Sequence, residues 1–258
     1  MQDKLINGFD NNVQIDNMNE TQKLINKAST ALSELENKIK EEQQVPEENI
    51  DITKYNLIKI PSEYIRTATF FRKEYRLNHL INNQKSIDNI AYSLQLSDLN
   101  NYFINRFNLF LSVGVVFRKQ ALINIVSIQE GLLKCTYLTL REYCVDHGNT
   151  CSKNSNCKYY LKSLNNIRND GLLKRYKEVI GLNDQHIFTL LSEQKAVRDK
   201  IHIHHIDENE LFNNQEYTLN KYNEAIMVLK YLKTNLCDCV STFKQAREKG
   251  CEGFRTKS

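Results

Sequence analysis

Two prolines and eight glycines are spread over 258 residues, and tryptophan is absent. At ordinary usage a chain of this length holds roughly 18 glycines and 13 prolines. Tight turns draw on those two residues, so a sandwich or barrel built from many hairpins is disfavoured. A collagen-like or Pro-rich chain is excluded. No G-x-G-x-x-G and no G-x-x-x-x-G-K-[ST] occurs, so the Gly-rich phosphate loops of nucleotide-binding folds are missing. With 41% hydrophobic and 26% charged residues the chain can still build a sizeable core. The expectation is an all-α protein, an antiparallel helical bundle with short links and an N-terminal helical extension. No repeat of 20–50 residues is present, which disfavours a helical solenoid.

The charge balance, 35 basic against 31 acidic residues for a net of +4, permits contact with nucleic acid without arguing for it. The seven cysteines are odd in number and irregularly spaced (135, 144, 151, 157, 237, 239, 251). The first residues, MQDKLINGFDNN, carry no apolar signal core. The longest apolar patch, Phe107 to Phe117, is interrupted by Asn108 and Ser112, short of a membrane span. A cytoplasmic or other reducing compartment with mostly free thiols is expected, with no membrane contact.

Residues 1–18 are polar and aperiodic and read as a flexible tail. Over 19–44, Leu24, Ala28, Ala31, Leu32, Leu35 and Ile39 recur at three- and four-residue steps. That thin stripe fits a coiled-coil seam or a helix lying on the main body. Helical arm and linker together span 19–60. Both prolines, Pro46 and Pro61, fall in or beside the linker, with an extended piece expected at Ile58–Ile60. Further helices are expected over 61–104: one from a Ser62 cap to about Asn82, one capped by Ser86 and another by Ser97. The main bundle is expected over 105–248. Its most helical stretch, Leu109 to Tyr143, places Val113, Val116, Ile123, Val126, Leu133, Tyr137 and Leu140 on one face and ends at His147-Gly148-Asn149. A polar loop over 146–157 precedes helices at 158–168 and 171–180. Asn183 or Asp184 caps a helix to about Lys200, and a last helix runs from Leu219 to Arg247 after an irregular stretch at 203–216. Residues 249–258 are expected to fray.

Three of the six histidines lie within four residues, directly after Val197-Arg198-Asp199-Lys200-Ile201, as His202, His204 and His205. Arg beside His suits phosphodiester chemistry. The guanidinium keeps its charge and stabilises negative charge developing on phosphate oxygens. The imidazole titrates near neutrality and moves a proton to or from a hydroxyl. RNA brings its own nucleophile in the 2′-hydroxyl, so neither a metal nor an enzyme nucleophile is required. Two plainer readings stand beside this one: an extended segment with one wet face, and a metal-binding cluster helped by Asp207 and Glu208.

Arg198-Asp199-Lys200-Ile201-His202-Ile203-His204, an Arg, a polar residue and a His after an intervening five residues, resembles the signature of the HEPN superfamily. It is especially similar to the form seen in HEPN proteins of abortive-infection type. His205 gives a spacing of six and also fits; His202, spaced by three, lies one helical turn from Arg198. Ile125 to Leu133 resembles the first long HEPN helix, in which a Glu interrupts an apolar stripe. Val126, Glu130, Leu133 and Tyr137 are spaced by four, three and four, so Glu130 projects from the buried face and needs a partner. An Arg across the bundle is the natural one; a helix-edge Glu reaching to water is the alternative. The resemblance covers about residues 105–245.

The resemblance implies metal-independent endoribonuclease activity that leaves a 2′,3′-cyclic phosphate and a 5′-hydroxyl, with no cofactor. His204 would transfer the proton, with His202 or His205 as substitutes. Arg198 would bind the scissile phosphate, Asp199 would orient Arg198 or His204, and Glu130 would hold the Arg. It further implies a homodimer with one composite cleft, an RNA substrate, an inhibitory partner protein, and a role as toxin or antiviral-defence effector. Inactive members imply an alternative, a non-catalytic helical interaction or dimerisation module.

A second constellation, Cys144, His147, Cys151 and Cys157, offers four ligands within fourteen residues, and a zinc-stabilised adaptor is the reading it supports. The spacing matches no zinc knuckle or ribbon, and loop thiols are the plainer reading. Cys237 and Cys239 are expected to pack. Lys158, Lys162, Lys174, Arg175, Lys177, Lys195 and Lys200 could follow an RNA backbone, or form a solvated face. Tyr159 and Tyr160 could stack on bases, or pack in the core.

Overall fold

The stretch Ala121-Leu122-Ile123-Asn124-Ile125-Val126-Ser127-Ile128-Gln129 is too apolar on successive positions to leave a helix with a wide wet face. It forms the middle of a 36-residue helix that packs against several others. The computed structural model describes residues 20–43, 65–107, 109, 111–146, 161, 163, 169–199 and 217–254, and every regular element among them is helical. They divide between two compact units, Met1–Lys59 and Ile60–Ser258.

The first unit contributes α1 (Glu20–Gln43), whose Leu24, Ile25, Leu32 and Leu35 are exposed. The second contains α2 (Ala68–Glu74), α3 (Leu77–Leu80), α4 (Gln84–Arg106), α5 (Leu111–Asp146), α6 (Asn169–Arg175) running into a π-helical turn (Tyr176–Ile180), α7 (Gln185–Asp199) and α8 (Leu219–Phe254). Helix α5 lies along α4 and α8 and also touches α3 and α7. The residues of 68–106 therefore share one core with the later helices. Tyr137, Tyr176, Tyr222 and Phe243 are fully buried in it, each contributing on the order of 2 kcal/mol through burial. The Tyr176 hydroxyl donates to the Leu133 carbonyl at 2.6 Å, which satisfies it and ties the π turn to α5. Burial pushes its phenol well above the ordinary value. The Gln129 amide donates to the Ala225 carbonyl of α8 at 3.0 Å, and that of Asn124 to the Ser93 carbonyl of α4 at 2.9 Å.

Several expected boundaries move. The helix expected from Ser62 to Asn82 is two: Thr67 caps α2 by accepting from the Phe70 amide at 3.1 Å, and the chain breaks at Tyr75 and Arg76. Arg76 sits in the left-handed region (φ 47, ψ 42), a conformation costing an L-residue about 1–2 kcal/mol. Ser86 is not a cap; Asn83, one turn earlier, accepts from the Ser86 amide at 2.9 Å. Ser97 starts no new helix, because α4 passes through it and buries it. Val113 and Val116, expected inward, are 46% and 54% exposed, while Ile125, Ile128 and Leu132 fill the interior. Helix α8 continues past Arg247 to Phe254. Asp184 caps α7, accepting from the Ile187 amide at 3.1 Å, and Gly181 (φ 86) closes the π turn as only Gly does freely. Residues 1–18, the linker from 44 to 64, the loop from 147 to 157, most of 158–168, and 200–216 lie outside the described residues.

Ahead of α2, Arg66 is clamped onto Asp98 of α4. Its backbone N–H donates to Oδ2 at 2.8 Å, its Nε donates to the same oxygen at 3.1 Å, and Nη2 forms a short ion pair with Oδ1. The guanidinium also lies over Phe70 and Phe71, 5.3 and 5.1 Å from the ring centroids. Burial works against the Asp98 carboxylate, but the hydrogen bonds and charge of Arg66 hold it below its ordinary value.

Candidate active site

Glu130 stands midway along α5, on the strip that also carries Val126, Leu133 and Tyr137, all three of which are buried. Arg198 stands on the last turn of α7, one residue before the helix ends at Asp199. The two helices touch, and the side chains meet between them. Arg198 Nη1 donates to Glu130 Oε1 at 3.0 Å and to Oε2 at 2.9 Å. Glu130 is 15% exposed and Arg198 29%. A carboxylate pushed toward the core by an apolar stripe thus receives its counter-charge from the facing helix.

Both bonds to Glu130 leave from one guanidinium nitrogen, unlike the two-pronged fork that makes Arg–carboxylate pairs strongest. The same Nη1 lies 3.4 Å from Asp199 Oδ1. Asp199 also pairs closely with Lys195 one turn earlier, and Lys134 Nζ lies 3.6 Å from Glu130 Oε2. Three cations therefore face two carboxylates. Residue counting alone can find the outer members, since Lys134 and Lys195 stand four positions from Glu130 and Asp199 on their own helices.

Beside the pair lies a small cavity of about 70 Å³, lined by the charged Glu130, Lys134 and Lys195 and by the apolar Leu133, Leu172 and Leu191. A shallower groove of about 640 Å³ adjoins it along α6 and α7 through the shared Leu173 and Ser192. Lys174 and Lys177 line that groove, Lys174 lying 3.7 Å from Glu178 and Lys177 donating to Gln185 at 3.0 Å. Neither the cavity nor the groove was anticipated, because both depend on how α6 and α7 pack in the fold.

The described residues thus bring together Glu130, Arg198, Asp199 and Lys195. His202, His204, His205 and Lys200, and likewise Lys158, Lys162, Tyr159 and Tyr160, fall outside them. Of the second constellation, Cys144 is described. It is 6% exposed at the end of α5; His147, Cys151 and Cys157 are outside. Among the described residues no group of three or more potential metal ligands is assembled. Cys237 is buried and Cys239 partly buried against the core, and burial raises both thiols. Among the described residues, no helix is long and apolar enough to cross a membrane.

No protein-family model, no curated protein and no solved structure matches the chain. Among the described residues, fold and site define an all-helical protein with a partly buried Arg–Glu pair where α7 ends, shortly before the three histidines in the sequence.

Proposed function

We propose that the chain is a metal-independent endoribonuclease of HEPN type, with Arg198 as the phosphate-binding cation and the following histidines as proton-transfer groups. The observation that carries this reading is the bond from Arg198 to both oxygens of Glu130. It fixes an always-charged guanidinium at the end of a helix, and after five intervening residues the chain reaches His204, the second of three histidines.

In the reaction, a histidine, His204 first by spacing, takes the 2′-hydroxyl proton of the RNA. The 2′-oxygen attacks the adjacent phosphorus, the bond from phosphorus to the 5′-oxygen breaks, and that oxygen leaves protonated. The products are a 2′,3′-cyclic phosphate and a 5′-hydroxyl end. Arg198 stabilises the charge that builds on the non-bridging oxygens, where a positioned donor gains most from a partly dry setting. Glu130 and Asp199 set the direction of the guanidinium. The groove beside the pair offers the strand Lys174 and Lys177 as phosphate contacts, with Glu178 and Glu193 limiting its net charge. A homodimer pairing two such sites, an inhibitory partner, and a toxin or antiviral-defence role belong to the same proposal.

The test is a single-stranded RNA incubated with the purified chain in EDTA. Cleavage is expected to survive the chelator and to vanish when His202, His204 and His205 are all changed to Ala. Cleavage that persists without all three histidines rejects the assignment. One observation favours a second reading, a non-catalytic interaction module: Glu130 occupies Arg198 with both carboxylate oxygens, as a purely structural tie between α5 and α7 would. Under that reading Arg198→Ala alters stability and self-association, and RNA stays intact with the unaltered chain.

A further inference from the structure

On another part of the second unit, where α2 turns into α3, six residues line a cavity of about 410 Å³: Arg72, Lys73, Arg76, Asn78, His79 and Ser241. Among the described residues that line it, three are permanent cations, one is a histidine, two are neutral polar side chains, and none is acidic. Lys244 of α8 stands close enough to act electrostatically on His79. Asp88 offsets part of this charge by taking one nitrogen of Arg72 at 2.8 Å, and Lys73 and Arg76 carry the rest. Burial, with the charges of Lys244 and Arg76, holds the His79 imidazole below its ordinary value, as expected where positive potential has gathered.

Arg72 and Lys73 alone would need no ligand, since they stand in the last turn of α2, where the helix dipole favours cations. Arg76 is outside the reach of that dipole, and its side chain hydrogen-bonds the Cys237 side chain of α8. It lies beyond the helix in the left-handed conformation that Gly adopts freely and that an Arg adopts only against strain. Turning there carries the chain into α3 and puts a third cation at the same concavity. Ser241 Oγ donates to the Cys237 carbonyl at 3.0 Å and lies 3.3 Å from His79 Nε2, so the ring and the hydroxyl share one edge of the cavity.

We propose that this cavity is a binding site for a phosphate group, separate from the Arg198 site. Arg76 supplies the guanidinium that a phosphate oxygen pair recognises, and Lys73 and Arg72 complete the cationic wall. The phosphate can belong to a free phosphate or monoester, or to the diester backbone of a nucleic acid.

The test is a titration of the full chain, followed by the NMR signals of the His79 ring, with two probes at matched ionic strength. One is inorganic phosphate. The other is 2′-O-methyl decauridylate, which carries a diester backbone but no free 2′-hydroxyl and so resists the cleavage proposed above. Saturable shifts with either probe, beyond those of chloride, are expected. Binding of inorganic phosphate marks a monoester site, and binding of the oligonucleotide alone marks a backbone site. Arg76→Gly is expected to weaken binding about tenfold, the worth of one charge-assisted hydrogen bond, while Tm holds or rises as the strain is relieved. Lys73→Gln, on an exposed position, is expected to weaken it less. Absence of a saturable shift with both probes overturns the proposal, as does Arg76→Gly binding as tightly as the unaltered chain.

Discussion

Two arginines in this molecule each reach across to a shielded carboxylate, and they do so in opposite styles. Arg66 spends its backbone N–H, Nε and Nη2 on Asp98 and lays its plane over two phenylalanines. Arg198 holds both oxygens of Glu130 with one nitrogen and shares that nitrogen with Asp199. The first pair is fully committed to joining the segment before α2 to α4. The second orients a guanidinium while leaving Nε and Nη2 out of the bond to Glu130. A charge fixed on one side is what phosphate chemistry requires, and a saturated fork is what a joint requires.

Changing the two pairs separates these roles. The largest expected effect is on catalysis: Arg198→Ala should lower RNA cleavage by about 10²–10³-fold, the usual cost of one charge-stabilising donor. Single-turnover rates with saturating RNA check it. Next comes Asp98→Ala, expected to cost about 2–3 kcal/mol. This is less than the full penalty for breaking a buried pair, because Arg66 is half exposed and regains water. Thermal unfolding should show it as a drop of roughly 5–10 °C in Tm with cleavage per folded molecule unchanged. Glu130→Gln keeps the shape and removes the charge. It should cost about 1 kcal/mol and about tenfold in cleavage, the rate loss being read against Tm.

The smallest effect is a pH window. Asp98 has a folded-state value below its unfolded value near 3.8, so it binds fewer protons folded than unfolded at the acid end. Its stabilisation is complete above that value and is lost as pH falls through the lower, folded one. The stability gap between the unaltered chain and Asp98→Asn should therefore be constant from pH 5 to 7 and shrink below about pH 4. Urea unfolding at each pH measures it, and a gap independent of pH would mean the pair adds nothing through charge.

Features set by local sequence could be read in advance. The scarcity of breakers pointed to helices, and helices are what the described residues form. Glu130 could be picked out because it interrupts an apolar stripe at a spacing of four and three, and an Arg partner followed from the cost of burying a lone carboxylate. The cap at Asp184 and the length of α7 followed from polar residues just before a periodic run. Features set by distant packing could not be read. The break at Arg76 carries neither Gly nor Pro, and what holds it is tertiary. Ser97 reads as a cap from its residue type; in the fold α4 runs through it, and its neighbour Asp98 pairs with Arg66, 32 residues earlier. Val113 and Val116 fit the inward face by spacing, but only the middle and later turns of α5 are enclosed by α4 and α8.

The central claim is that the Arg198–Glu130 pair serves a reaction and the Arg66–Asp98 pair serves the fold. The most direct measurement is cleavage of one end-labelled RNA in EDTA by the unaltered chain, Arg198→Ala and Asp98→Ala, all below their melting temperatures, with the product ends identified. The expected result is a 2′,3′-cyclic phosphate product from the unaltered chain and from Asp98→Ala, and uncut RNA with Arg198→Ala. RNA left whole by the unaltered chain, or cut equally well by Arg198→Ala, would contradict the account.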